Sequence, residues 1–249
     1  MVLSKQLLAH EVPAPKCRTG CQSCDLHCLF KADDLIKPIA HSSGSPNGAI
    51  RQQTVADAAT VFRQNDALDY VVIIRSGLVK LEVVDSEGNA CIFSLAGAGQ
   101  VIGFSALISE PMRHNAVAVQ ATEVCKVPVA LLRGLYTKRP ELCLSLMGHW
   151  QSNLDDADQS IANFAVGNLT MRLAKLIVSL IAIWSAASPS KSVRLLSLSD
   201  MAAILGVSPE SVCRGLAKLK RSKILKKQNQ QDYAYDFERL KSLVTVACS

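Results

Sequence analysis

The sequence predicts an α+β chain: an antiparallel β module, then one long helix, then a compact C-terminal module of short helices with a small β-hairpin. Three observations predict it. From Thr54 to Val129 short apolar stretches recur between glycine-bearing turn signals, the pattern of a β-sandwich or barrel. From Pro140 to about Phe164 the apolar residues fall at helical steps instead. After Gly167 the helical segments shorten and the chain turns basic.

The 249 residues suffice for two modest domains. Hydrophobic residues at 49% against 19% charged mark a packed globular protein and exclude a disordered tail. No apolar run reaches the roughly 18 residues of a membrane span. The nearest, Leu176 to Ala187, follows Arg172 and Lys175 and reads as a buried helix. The N-terminal MVLSKQLLAHEVPAPK lacks the apolar core of a secretion signal, so a cytoplasmic location is expected. Thiols stay reduced there, and clustered ones point to metal or redox chemistry rather than to a disulfide framework. No catalytic acid/base pair and no phosphate-binding glycine loop stands out, and an enzyme is not expected.

Taken in order, residues 1–30 form a cysteine-rich arm. Asp33 to Ala40 reads as a short helix or turn, and His41 to Gly48 as an exposed loop rich in Ser, Gly and Pro. The β module is assigned to 31–138. Its strands are Tyr70–Ile74, Leu78–Val84, Ala90–Leu95, Ala116–Ala121 and Glu123–Val127. Ser76-Gly77, Ser86-Glu87-Gly88-Asn89 and Gly97-Ala98-Gly99 make turns among them.

The long helix is assigned to 139–166. Cys143, Met147, Trp150, Leu154, Ala157, Ile161 and Phe164 follow one another at steps of 4, 3, 4, 3, 4 and 3. That is a heptad seam, and so narrow a stripe on a long helix pairs with a copy of itself. A stable coiled-coil homodimer is the expectation. Asp155, Asp156 and Asp158 lie off the seam and are expected to face solvent.

The last module, 167–249, carries 13 Lys/Arg against 5 Asp/Glu, while residues 1–166 carry 14 against 16. All of the excess positive charge is therefore C-terminal, as in a nucleic-acid-binding domain attached to a near-neutral one. Leu169 to Ser185 reads as a helix stopped by Ser188-Pro189-Ser190. Ser199 to Leu219 then has the form of a helix-turn-helix. Ser199 or Asp200 caps a first helix to Leu205, Gly206 takes the left-handed turn position, and Val207 plugs the corner. Ser208 caps the second helix, with Pro209 at its first position, where a missing N–H costs nothing. Val212, Leu216 and Leu219 face inward; Glu210, Cys213 and Arg214 face outward near the end that enters a major groove. Arg214 can give a forked hydrogen bond to guanine, and Glu210 can accept from a cytosine amino group. Ser208, Ser211 and Lys218 complete the expected DNA-contacting set. An exposed i,i+4 ion pair is the alternative for Glu210 and Arg214; both readings can hold, since the pair would orient the arginine. Lys220, Arg221, Lys223, Lys226 and Lys227 suit phosphate contacts. Gln228 to Tyr235 reads as a hairpin wing, and a short helix follows near Phe237–Val246.

This order of parts resembles the cyclic-AMP receptor protein/FNR superfamily of bacterial transcription regulators, from about Cys17 to Val246. Phe62-Arg63-Gln64-Asn65-Asp66 with Ile74-Arg75-Ser76-Gly77, Gly103-Phe104-Ser105-Ala106, and Ala121-Thr122-Glu123-Val124-Cys125 are similar to the FNR branch, the oxygen-responsive fumarate and nitrate reduction regulators. Glu210-Ser211-Val212-Cys213-Arg214 resembles that branch's E-x-x-S-R recognition motif, with Cys213 in place of the serine. The resemblance implies a cyclic-nucleotide-binding-like jelly roll, a dimer helix and a winged helix-turn-helix. It also implies double-stranded DNA as partner, bound as a TGA-type inverted repeat, and RNA polymerase if the protein is an activator. The cyclic-AMP branch fits less well. Phe104 stands where that branch has its ribose-binding glutamate, and Arg113-His114-Asn115 where it has its phosphate-binding Arg-Ser pair.

Cys17-x3-Cys21-x2-Cys24-x3-Cys28 is dense in thiols, which ligate iron–sulfur clusters and structural zinc. The FNR resemblance implies a [4Fe–4S] cluster on Cys21, Cys24, Cys28 and Cys125, with Cys17 as a possible substitute. The Cys24–Cys28 interval is three residues where the FNR branch has five. Zinc, or a dithiol–disulfide switch without metal, are the alternatives for the same residues, and His27 lies within the motif. Haem or nucleotide sensing in the roll is a further alternative. Cys125 also suits a plain core position. Cys91, Cys143, Cys213 and Cys248 are not expected to be ligands. The resemblance implies oxygen or redox control relayed along the seam helix to the DNA-binding module, by reorientation rather than dissociation.

Overall fold

The computed structural model describes residues 50–138, 140–187 and 192–245. The cysteine-rich arm, the Asp33–Ala40 segment, the His41–Gly48 loop and the Ser188-Pro189-Ser190 stop lie outside them. The described residues form two compact units, 50–158 and 159–245.

The first unit opens with eight strands: β1 (Arg51–Val55), β2 (Thr60–Phe62), β3 (Tyr70–Ser76), β4 (Leu78–Val84), β5 (Ala90–Gly97), β6 (Val101–Ile102), β7 (Asn115–Ala118) and β8 (Thr122–Pro128). They make two four-stranded antiparallel sheets, in the orders β1-β8-β3-β6 and β2-β7-β4-β5. The five apolar stretches of the sequence became β3, β4, β5, β7 and β8. Three strands gave no usable signal. β1, Arg-Gln-Gln-Thr-Val, buries only Val55, while β2 and β6 span 3 and 2 residues.

Strand alternation sorts the side chains into two clusters. Val72, Ile74, Val79, Leu81, Ala116 and Val124 fill the space between the sheets. Their neighbours in sequence, Val71, Ile73, Cys125 and Val127, point to the other face of the first sheet and pack with Leu132. Each aliphatic side chain fully buried this way contributes about 1.5–3 kcal/mol. Leu132 belongs to α1 (Val129–Lys138), which also sets Tyr136 against that cluster. The β3–β4 turn depends on Gly77, whose φ is +98° and whose Cβ, if present, would lie 2.4 Å from the buried Thr122 hydroxyl. Only glycine meets both conditions.

Helix α2 (Glu141–Ala165) follows. Asn153 donates from Nδ2 to the Val101 carbonyl at 2.7 Å. Gln100 accepts the Gly97 amide at 2.7 Å and donates from Nε2 to Asp156 at 2.8 Å. Asp156 therefore does not face solvent as expected. It is half-buried and fastened to the β5–β6 turn, because position 156 shares a helix face with Asn153. Asp155 and Asp158 are exposed as expected.

The second unit holds α3 (Leu169–Ala187), β9 (Ser192–Arg194), α4 (Leu198–Leu205), α5 (Pro209–Arg221), β10 (Leu225–Lys227), β11 (Asp232–Tyr235) and α6 (Phe237–Thr245). Leu173, Leu176, Ile177 and Leu180 of α3 are wholly buried, so the apolar run read from the sequence is a core helix. Among the described residues no helix is long and apolar enough to cross a membrane. β10, β11 and β9 form a three-stranded antiparallel sheet, one strand more than the expected hairpin.

Candidate nucleic-acid interface and sensory residues

The N-cap of helix α4 lies two residues before the first position expected for it. Ser197, not Ser199 or Asp200, is the N-cap. Its hydroxyl accepts the Asp200 amide at 3.0 Å and donates to the Asp200 carboxylate at 2.7 Å, a reciprocal cap that the later serine cannot make. Gly206 takes the left-handed conformation at φ 59° and ends the helix. Val207 is half-buried rather than a fully enclosed plug.

Helix α5 begins as the sequence predicts, with Ser208 as N-cap and Pro209 in its first turn. Val212, Leu216 and Leu219 are buried. Gly215 is buried too, and a Cβ there would sit 3.0 Å from Leu173 Cδ2, so α5 and α3 meet backbone to side chain. The other side of α5 faces outward. Glu210, Cys213, Arg214 and Lys218 are exposed, and Ser211 is half-buried.

The polar groups at this end are linked. Ser211 donates its amide to the Ser208 hydroxyl at 3.3 Å, the two hydroxyls lie 3.2 Å apart, and Arg214 donates from Nη2 to the Ser211 hydroxyl at 3.0 Å. The hydrogen bond of Arg214 thus goes to Ser211 and not to Glu210, the alternative partner by spacing. The Glu210 carboxyl is held below its usual range by its own backbone amide, then by Ser208, with the charge of Arg214 adding to both. An ionised carboxylate only accepts, which suits a base amino group.

Lys220, Arg221, Lys223, Lys226 and Lys227 are all exposed beside this helix. Lys220 lies over the Tyr233 ring at 5.0 Å from its centre, which ties α5 to β11. Two arginines that sequence reasoning passed over hold this module together. Arg239 of α6 donates to the Ser222 carbonyl at 3.2 Å, at the C-terminal end of α5. Arg172 of α3 donates to the carbonyls of Phe164 and Leu205. The partners lie 17 residues from Arg239 and 8 and 33 residues from Arg172, so local pattern gives no sign of these contacts.

On α2 the heptad positions form an apolar stripe. Met147 is 60% exposed, Trp150 53%, Leu154 49% and Ile161 66%, while Cys143, Ala157 and Phe164 are half-buried. Leu144, at 72%, widens the stripe. A contiguous exposed apolar stripe of this kind is the mark of an interaction surface.

Of the expected metal ligands, Cys17, Cys21, Cys24 and Cys28 lie outside the described residues. Cys125 lies on β8, paired with Gln52 and Ile73, and is 2% exposed among Val71, Val127 and Leu132. Among the described residues no group of three or more His, Cys, Asp or Glu could hold a metal.

Inside the roll, the His114 ring lies 5.7 Å from Phe62 and 5.2 Å from Phe93. Its Nε2 is buried without a hydrogen-bond partner, and burial pulls its pKa down. Burial thus favours the uncharged imidazole over the imidazolium. Asn115 accepts the Gln64 amide at 2.9 Å, and Arg113 is exposed. This segment offers no inward cation to a nucleotide phosphate. Phe104 belongs instead to the outer cluster with Cys125.

Residues 52–139 match the Cyclic nucleotide-binding domain family, and residues 171–243 match the Crp-like helix-turn-helix domain family. The "Anaerobic regulatory protein" of Pasteurella multocida is 25% identical over 225 residues, 90% of this chain and 82% of that protein. The "Fumarate and nitrate reduction regulatory protein" of Vibrio cholerae is 24% identical over 234 residues, 90% of each. The fold matches FixK2 from Bradyrhizobium japonicum with a TM-score of 0.70 and 20% identity, covering 80% of this chain and 100% of that one. It also matches a CRP-family regulator from Thermus thermophilus, with a TM-score of 0.66, 18% identity and coverage of 77% and 96%.

Proposed function

This chain belongs to the CRP/FNR family of transcription regulators, and on that premise we propose that it is an FNR-type regulator, binding a TGA-type inverted repeat as a homodimer under oxygen or redox control. The observation that carries the DNA half is the placing of Glu210 and Arg214. They are exposed one turn apart at the capped start of a helix whose other side is buried. In two such helices, held by pairing of the Met147–Phe164 stripe, Arg214 forks to guanine and Glu210 accepts from cytosine in successive major grooves. Lys218 and the basic residues after it neutralise phosphates and set the salt dependence.

The sensing half is supported by the cysteine spacing and by relatives named for anaerobic regulation, aligned over 90% of the chain. Cys21, Cys24, Cys28 and Cys125 would hold a [4Fe–4S] cluster, with Cys17 as the local substitute. Cys125 would be the buried ligand, 2% exposed, and burial of a ligand governs solvent access and redox poise. When bound, the cluster supplies an oxygen-labile inorganic centre. The four cysteines would supply soft thiolate donors, the Cys125 sulfur from a position packed with Val71, Val127 and Leu132. A nucleotide in the roll is the weaker reading, because Arg113 is exposed and the adjoining His114 packs between Phe62 and Phe93. Iron, sulfide and the absorption spectrum of protein purified without air test this reading. A band near 400 nm that bleaches in air supports it. Metal-free, colourless protein overturns the cluster and favours a dithiol switch.

A further inference from the structure

Between α2 and α3 the chain passes through only three residues, Val166 to Asn168. Gly167 has φ +102°, and a Cβ on it would lie 2.6 Å from the Met171 sulfur. Asn168 accepts the Met171 amide at 3.1 Å and so starts α3. One turn further, the Arg172 side chain reaches in two directions. Nε donates to the Phe164 carbonyl in the last turn of α2, and Nη2 donates to the carbonyl of Leu205, the last residue of α4. Carbonyls at helix C-termini lack intrahelical donors and gather negative partial charge, so one guanidinium serves two helix ends at once. The rigid fork of arginine spans two acceptors; a lysine ammonium does not. The next residue, Leu173, is wholly buried and presses on α5 at Gly215. Residues 172 and 173 thus join the end of the seam helix to both helices of the helix-turn-helix.

We propose that Arg172 is a positioning residue for operator binding: it locks the last turn of α2 to the helix-turn-helix, so that the seam fixes the direction in which α5 is presented. The proposal rests on the dimeric DNA-binding reading above. A dimer gains affinity from its second half-site only when that site is met without a search, so a loosened link lowers the effective concentration and leaves each half-site contact intact.

The test uses full-length wild type, Arg172→Gln and Arg172→Lys. The DNA is a duplex with two half-sites enriched by the wild type from a random-sequence pool, its derivative lengthened between half-sites by about two base pairs, and a single half-site. Wild type is expected to prefer the enriched spacing by about tenfold or more. Both variants are expected to lose that preference to within about twofold, while single half-site affinity stays within about twofold of wild type. The lysine variant keeps a cation at the helix ends and so keeps the fold, which thermal unfolding checks. Retained spacing preference in the lysine variant overturns the proposal. So does an equal loss on the single half-site, which would make Arg172 a support of the helix-turn-helix alone. Should the enriched duplex lack TGA half-sites, the operator reading fails and the brace is still tested.

Discussion

Arg214 is held by the Ser211 hydroxyl at 3.0 Å, three residues back on the same helix, and Ser211 is in turn joined to the capping Ser208. The arginine is thus steered by the helix's own cap. Freezing a long side chain before binding saves about 0.5–1.5 kcal/mol of ordering cost. Ser211→Ala is expected to weaken specific binding by that amount, and Ser211→Thr to restore it. Arg214→Lys is expected to cost about 1–3 kcal/mol at one guanine position and little elsewhere. Fluorescence anisotropy on operators substituted one base at a time measures both.

The apolar stripe of α2 gives the second prediction. Leu154→Asp and Ile161→Asp each place a carboxylate at a half-exposed seam position that pairing would bury. An uncompensated buried charge costs about 3–5 kcal/mol. Each variant is expected to be monomeric in sedimentation at micromolar concentration, with the roll still folded.

His114 predicts an acid limb. Burial lowers its pKa from the ordinary 6.5, so the folded chain resists a proton that the unfolded chain accepts. Stability is therefore intact above pH 6.5 and falls as the pH drops below it towards the folded value. In urea titrations across that range, His114→Leu is expected to show a flatter dependence than wild type.

Tyr136 predicts an alkaline limb. Burial, then the negative charge of a Cys143 thiolate, push its phenol from 10.0 to about 12. The raised value means that stability is full below pH 10 and is lost as pH rises through about 12. Tyr136→Phe removes that one titration and is expected to show a flatter decline over that window; an unchanged slope would assign it to other groups.

Much of this was legible in the residues. Short apolar stretches between turn signals such as Ser76-Gly77 marked the central strands. The 4-3 spacing marked α2, and Ser208-Pro209 with Gly206 marked the turn between the paired helices. What escaped has a common cause. β1 is polar because only Val55 of it is buried; Asp156 is held by Gln100, 56 residues away; Arg172 reaches Leu205, 33 residues on. Local pattern does not encode contacts across such separations. The Arg214 hydrogen bond went elsewhere for a different reason: Ser211 offered an acceptor three residues back on the same helix, and Glu210 feels the arginine only through its charge.

The most direct measurement is operator affinity of anaerobically purified, full-length protein before and after exposure to air, at fixed salt. The account predicts tight dimeric binding to an inverted TGA repeat without air, and loss of at least about tenfold in affinity, about 1.4 kcal/mol, after oxygen. Equal affinity in both states, from protein containing no iron, would contradict it.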